Sequence, residues 1–149
     1  MEKIAIGSDH GGYDLKLEII AYLKEVECRY HDFGCYERKS VHYPDYAKEV
    51  GLAVIGNEYD CGILICGTGI GMSIAANKIK GIKAALCHDI YSARMAREHN
   101  DSNIMTMGGR VIGTGLAIEI VKMWLTADFS KESRHIIRLK KIDEMSEEQ

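Results

Sequence analysis

The chain reads as an α/β protein: a three-layer α/β/α Rossmann-like domain with a five-stranded parallel sheet and a C-terminal helix. Three observations predict it. Short apolar runs alternate five times with segments of helical period. Several of these runs are continuously apolar, as strands buried on both faces are. A glycine-rich turn, Cys66-Gly67-Thr68-Gly69-Ile70-Gly71, joins one such run to a helix-like segment. Repeated βα units imply a parallel sheet with right-handed crossovers.

The first strand is predicted over Lys3 to Gly7, and the helix after it has the clearest pattern. Leu15, Ile19, Ile20, Leu23 and Val26 fall on one face, with Lys16, Glu18, Lys24 and Glu25 on the other. A second strand over Arg29 to Phe33 leads to a helix from Tyr43 to Ile55, where Pro44 sits in the first turn and its missing donor costs little. Gly62 to Cys66 is the third strand, followed by a helix over Met72 to Lys78. Lys83 to Cys87 and Asn103 to Met107 complete the sheet, with helices at Ile90 to Glu98 and Gly115 to Leu125. A charged helix near Lys131 to Met145 closes the chain, and Ser146 to Gln149 is expected to fray. No internal repeat, linker or low-complexity segment divides the sequence, so one domain is expected over 1–149. The strand order is not legible.

Composition limits the function. At 149 residues the chain can bury about two thirds of its unfolded surface in one core. A net charge of −3 and the lack of a dense basic block, apart from a short C-terminal cluster, argue against nucleic acid and anionic membranes as partners. No apolar run approaches the ~20 residues of a membrane span. The five cysteines (Cys28, Cys35, Cys61, Cys66 and Cys87) show no Cys-x-x-Cys or zinc spacing, and the N-terminus lacks the apolar core of a signal peptide. A soluble, reduced, cytoplasmic protein without metal or cofactor, acting on a small molecule, is expected.

In an open parallel sheet the ligand crevice lies beyond the carboxyl ends of the strands. The residues predicted there are Ser8, Asp9 and His10 after the first strand, and Cys66 and Thr68 after the third. His88 and Asp89 follow the fourth, and Gly108, Gly109 and Arg110 the fifth. The glycine-rich turn is neither the dinucleotide fingerprint, which would follow the first strand, nor a P-loop, since no Lys-Ser/Thr pair ends it. It is either a tight strand-to-helix connection or a set of backbone N–H groups aimed at an anion. Cys66 is either a small buried hydrophobe or, beside those N–H groups, a thiol expected to ionise more readily than the other four. Asp9 and Asp89 also suit helix capping. Arg134 and Arg138, spaced i,i+4, either clamp a phosphate or form a solvated helix face. His31 and His42 carry no distinguishing context.

Taken together, Ser8-Asp9-His10-Gly11-Gly12, Tyr43-Pro44-Asp45-Tyr46, Cys66 to Gly71, Ala75-Ala76-Asn77-Lys78, Arg97-Glu98-His99-Asn100-Asp101 and Gly108-Gly109-Arg110 closely resemble the ribose-5-phosphate isomerase B family over nearly the whole chain. The resemblance implies a metal-independent aldose–ketose isomerase that interconverts ribose 5-phosphate and ribulose 5-phosphate in the pentose phosphate pathway through a cis-enediolate. By that likeness Cys66 is the base, and the N–H groups of Gly67, Thr68, Gly69, Ile70 and Gly71 hold the developing oxyanion. Thr68 bonds a substrate oxygen, His99 opens the furanose ring, and Asp9 assists at the sugar oxygens. His10, Arg134 and Arg138 bind phosphate, and Asn100 and Arg110 make further substrate contacts.

A helix after the fourth strand runs away from the carboxyl edge, so His99 at its end should lie far from Cys66 of the same chain. A homodimer with composite sites, alone or paired into a dimer of dimers, resolves the conflict. The sequence departs from the family at His42, where an acidic residue is usual, and at Lys131-Glu132-Ser133, where a Gly-Gly pair is common. Ala75 stands where some relatives carry a glutamate base. Allose 6-phosphate and galactose 6-phosphate are the rival substrates, and a non-catalytic phosphate- or nucleotide-binding module is the rival class.

Overall fold

The computed structural model describes residues 2–148, and among them the chain forms five strands and six helices. In chain order these are β1 (Lys3–Ser8), α1 (Tyr13–Glu25), β2 (Arg29–Asp32), α2 (Tyr43–Ile55), β3 (Cys61–Cys66), α3 (Ile70–Ala76), β4 (Ala84–Leu86), α4 (Ile90–Glu98), β5 (Ile104–Gly108), α5 (Thr114–Thr126) and α6 (Ser133–Glu147). The strands make one parallel sheet in the order β2-β1-β3-β5-β4. β3 and β5 are buried along their whole length, which their apolar runs require, whereas the edge strands β2 and β4 are only half-buried.

Two cores flank the sheet. On one face Leu15, Ile19 and Leu23 of α1 meet Ala93 and Ala96 of α4 and Ile120, Val121 and Trp124 of α5. On the other, Ala47, Val50 and Val54 of α2 pack with Met72 and Ala76 of α3. Each fully buried aliphatic side chain contributes about 1.5–3 kcal/mol, so the layers are held by these faces rather than by helix propensity. No helix among the described residues is long and apolar enough to cross a membrane.

The predicted boundaries shift where a specific bond decides them. β4 is three residues rather than the five predicted over Lys83 to Cys87, because it is an edge with a single partner, β5. α3 starts at Ile70 because Gly69, in the left-handed region at φ 79°, already caps it. It stops at Ala76 because the Asn77 amide bonds both the N–H and the carbonyl of Ala84. α6 starts at Ser133 because Lys131 adopts φ 56°, which no α-helix accommodates. β2 ends at Asp32 rather than Phe33.

The strand order places a topological switch between β1 and β3: the chain leaves β1 for β2 on one side and returns to β3 on the other. The carboxyl ends of these two strands therefore open a crevice in which loops diverge to opposite faces.

Candidate active site

β1 and β3 deliver the two central segments to that crevice, with Ser8 paired opposite Ile65 in the sheet. Ser8 is itself the last residue of β1, and its Oγ approaches Cys35 Sγ at 3.9 Å. Asp9 is buried and its Oδ1 accepts the Gly12 N–H at 3.1 Å, so the carboxylate braces the turn into α1 while Gly12 occupies the N-cap position. His10 accepts the Val41 N–H at Nδ1, 3.2 Å away. An imidazole that accepts at Nδ1 carries its hydrogen on Nε2, leaving a donor for an incoming anion.

Cys66 ends β3 and is 4% exposed. Its Sγ accepts the Gly69 N–H at 3.1 Å, a donor placed to stabilise a thiolate when one forms. Gly69 is needed for that aim: it sits at φ 79°, and a Cβ there would stand 2.8 Å from the Met107 carbonyl carbon and 2.6 Å from Leu86 Cδ1. Thr68 Oγ1 accepts the Ile70 N–H at 3.2 Å, which leaves its own O–H as a donor. Two of the five N–H groups expected to face an oxyanion are thus turned inward, Gly69 onto Cys66 and Ile70 onto Thr68.

Arg110 joins the cluster from the loop after β5. The Gly109 and Arg110 N–H groups bond the carbonyls of Cys66 and Gly67. The guanidinium lies across two glycines, 3.4 Å (Cζ) from where a Gly11 Cβ would stand and 3.2 Å (Nη1) from where one on Gly67 would. Tyr43, at the start of α2, had been assigned no role from sequence, although Tyr-Pro belongs to a motif quoted above. Its ring walls the turn 2.5 Å from the position a Cβ on Gly71 would take.

His88 and Asp89 serve local structure. Asp89 caps α4 by accepting the Ser92 N–H at 2.6 Å, and that bond is the main reason its carboxyl lies below the usual range. His88 Nε2 accepts the Gly108 N–H at 2.9 Å, and burial pushes its pKa down against the pull of Asp89. His31 packs edge-on against Phe33, and His42 occupies the N-cap position of α2 without a side-chain bond.

His99, Asn100, Arg134 and Arg138 lie elsewhere. Gly62, at the start of β3, donates to the Asn103 carbonyl, whereas Cys66 pairs with Gly108. The segment containing His99 and Asn100 is therefore about four strand residues, or ~13 Å, from the level of Cys66. Asp101 at φ 47° ends α4 there, and Arg97 pins that end by bonding Glu2 Oε1 at 2.5 Å and the Ser102 carbonyl at 3.0 Å while lying over the Trp124 ring. α6 starts at the same edge: the Ser130 N–H bonds the Glu98 carbonyl at 3.0 Å, and the His135 ring packs on that of His99. Arg134 pairs with Glu132 at 2.9 Å and Arg138 is exposed. One chain thus gathers Asp9, His10, Cys66, Thr68 and Arg110 at the carboxyl edge, and His99, Asn100, Arg134 and Arg138 at the amino edge.

A doubly wound sheet carrying a thiol, an imidazole and a guanidinium at its switch point defines an α/β enzyme built to handle a small anion. Comparison with known proteins then fixes the family. The profile described as Ribose/Galactose Isomerase matches residues 4–142. Ribose-5-phosphate isomerase B of Escherichia coli is 49% identical over 142 residues, 95% of each chain. Galactose-6-phosphate isomerase subunit LacB of Clostridium acetobutylicum is 42% identical over 146 residues, 97% of this chain and 83% of that one. Among solved structures, ribose-5-phosphate isomerase B of Clostridium thermocellum superposes with a TM-score of 0.96 at 53% identity, covering 98% of each chain. The chain belongs to the ribose/galactose isomerase family and is a sugar-phosphate isomerase.

Proposed function

We propose that the protein interconverts D-ribose 5-phosphate and D-ribulose 5-phosphate without a metal, in the cytoplasm. The observation that carries this reading is the Cys66 thiol at the tip of β3 with the Gly69 N–H on its sulfur, inside the switch-point crevice of a chain of this family. Cys66 as thiolate takes the proton from C2 of the open-chain aldose and returns it to C1, while the hydroxyl proton of O2 passes to O1 and leaves the carbonyl at C2. The Gly67, Thr68 and Gly71 N–H groups and the Thr68 hydroxyl face the enediolate oxygens, and Asp9 orients the sugar hydroxyls. His10 Nε2–H and Arg110 receive the phosphate.

The remaining groups come from a second copy of the chain. A two-fold homodimer that lays the amino edge of one subunit over the carboxyl edge of the other brings His99 and Asn100 to the sugar and Arg134 and Arg138 to its phosphate. Supporting this are the opposite edges of the sheet at which the two groups of residues lie within one chain and the exposed apolar side chains flanking both. Ile70 and Ile74 of α3 are 53% and 60% exposed, and Ile136 and Ile137 of α6 are 49% and 54%. Residues 1–149 act as one domain.

Turnover of ribose 5-phosphate in EDTA tests the reading with wild type, Cys66→Ala and His99→Ala. Robust wild-type activity, lost in Cys66→Ala, is expected. In His99→Ala, activity falls on the furanose but persists on a substrate supplied open-chain. A second reading, galactose-6-phosphate isomerase, is favoured by the likeness to LacB and predicts preference for the hexose phosphate. Allose 6-phosphate belongs in the same panel. Phosphate binding without turnover on any of these sugars would make the chain a binding module.

A further inference from the structure

The buried residue of α6 is an imidazole: His135 is 3% exposed, although it belongs to an otherwise exposed helix. Its Nδ1 lies 2.7 Å from Ser130 Oγ. That hydroxyl oxygen also accepts the Glu132 N–H at 3.2 Å, so Ser130 holds both the ring and the turn. The turn that makes this possible is tied down at both ends, by the Ser130 N–H on the Glu98 carbonyl and by the His135 N–H on the Glu132 carbonyl, each 3.0 Å. The His135 and His99 ring centroids are 4.2 Å apart with planes inclined at 31°. The two rings are therefore close to stacked, and His99 is the more exposed of the pair.

We propose that His135 is a positioning residue for His99: anchored by Ser130, its buried ring is a wall that sets the plane of the His99 imidazole. The role in catalysis rests on the assignment of ring opening to His99. The groups around His135 favour its neutral form. Burial pushes His135 down first, followed by the charge of His99 and that of Arg134, against the pull of Glu132, with Arg138 adding to the downward side. Glu132 is itself held by Arg134, and Glu98, beside His99, by Arg94. The buried ring, packed 4.2 Å from that of His99, fixes the plane in which the His99 imidazole meets a sugar oxygen.

The test uses the full-length protein. In an NMR titration of the histidine ring signals, His135 is expected to titrate below the ordinary histidine range. Titration of His135 at or above that range would overturn the proposal, and this readout does not depend on turnover. In kinetics with ribose 5-phosphate, His135→Phe keeps a flat uncharged ring and should retain kcat within about threefold. His135→Ala removes the wall and should lower kcat about 10- to 100-fold with little change in KM, shifting the acid limb of the pH profile. Ser130→Ala, which leaves the ring but frees it, should move the same limb by less, and covers the case in which His135→Ala does not fold. An unaltered pH profile in both His135→Ala and Ser130→Ala would refute a positioning role. If no sugar phosphate is turned over but His135 titrates below the ordinary histidine range, the isomerase reading fails and the packing of His99 on a neutral His135 stands.

Discussion

Lys16 offers the sharpest prediction about how the loop that fixes His10 is held. Its side chain is 0% exposed, its Nζ lies 2.7 Å from Asp32 Oδ1, and it also donates to the Cys35 carbonyl. The rings of Tyr13 and Tyr36 flank the ammonium, each 5.5 Å away. Asp32 Oδ1 in turn accepts the Gly34 N–H, and the loop beginning there reaches Val41, whose N–H fixes His10. Lys16→Met keeps the side chain's length but leaves the Asp32 carboxylate, only 24% exposed, and a buried carbonyl without their cation. Breaking a buried pair from one side costs about 3–5 kcal/mol. For a chain of this length that is a fall in melting temperature of roughly 6 to 20 °C. Asp32→Asn in the Lys16→Met background should recover part of the loss, because the orphaned charge is gone. Thermal melts of the two single variants and the double variant measure this coupling, and steady-state kinetics should show KM raised more than kcat lowered. A melting point within about 2 °C of wild type, or strictly additive losses, would refute the reasoning.

Mixed dimers formed from equal amounts of Cys66→Ala and His99→Ala subunits should recover about one quarter of wild-type activity, since half the dimers are mixed and each carries one complete site. No recovery beyond the two parents, measured after subunit exchange, would show that the site is not shared. Gly69→Ala should cost about 2–4 kcal/mol in denaturant unfolding, from left-handed strain and contact with Leu86 and Met107, and lower kcat at least tenfold; wild-type stability with full activity would contradict the turn geometry. His88 is held below its ordinary pKa, so the unfolded chain binds the extra proton. Stability from this residue is complete above about pH 6.5 and is lost as pH falls through the folded value. His88→Gln, which can still accept from Gly108, should therefore flatten the fall in melting temperature between about pH 7 and pH 5.

Periodicity carried the architecture because β3 and β5 have apolar runs that match their burial and Leu15, Ile19, Ile20 and Leu23 of α1 match its core face; Val26 instead lies exposed beyond the helix, and Lys16, read as part of the polar face, is buried because Asp32 and the Cys35 carbonyl receive its ammonium. Strand order is absent from such local signals, since it is set by how whole faces pack, and the β1/β3 switch emerges only from the pairing. The carboxyl-edge placement of Asp9, Cys66 and Arg110 was legible because each stands at or within two residues of a strand's carboxyl end. The inward turn of the Gly69 and Ile70 N–H groups was not, because it depends on rotations within the turn that the residue types permit but do not select. His135 went unnoticed because it stands among exposed charged residues and owes its burial to the fold of Ser130 onto α4.

Among the described residues α6 has one fully buried side chain, His135, and an exposed ion pair near its other end, Lys80 with Glu147 at 3.7 Å. A helix with so few buried side chains is expected to open before the sheet does. In a lone subunit the amide hydrogens of its outer turns would exchange with solvent early, and Arg138 would ride on that mobile stretch while Arg134 stays paired with Glu132. On the shared-site reading, seating α6 on a neighbour supplies the missing rigidity, so assembly and anion capture reinforce one another: phosphate should tighten the dimer, and dilution should weaken the grip on phosphate while the sheet remains intact.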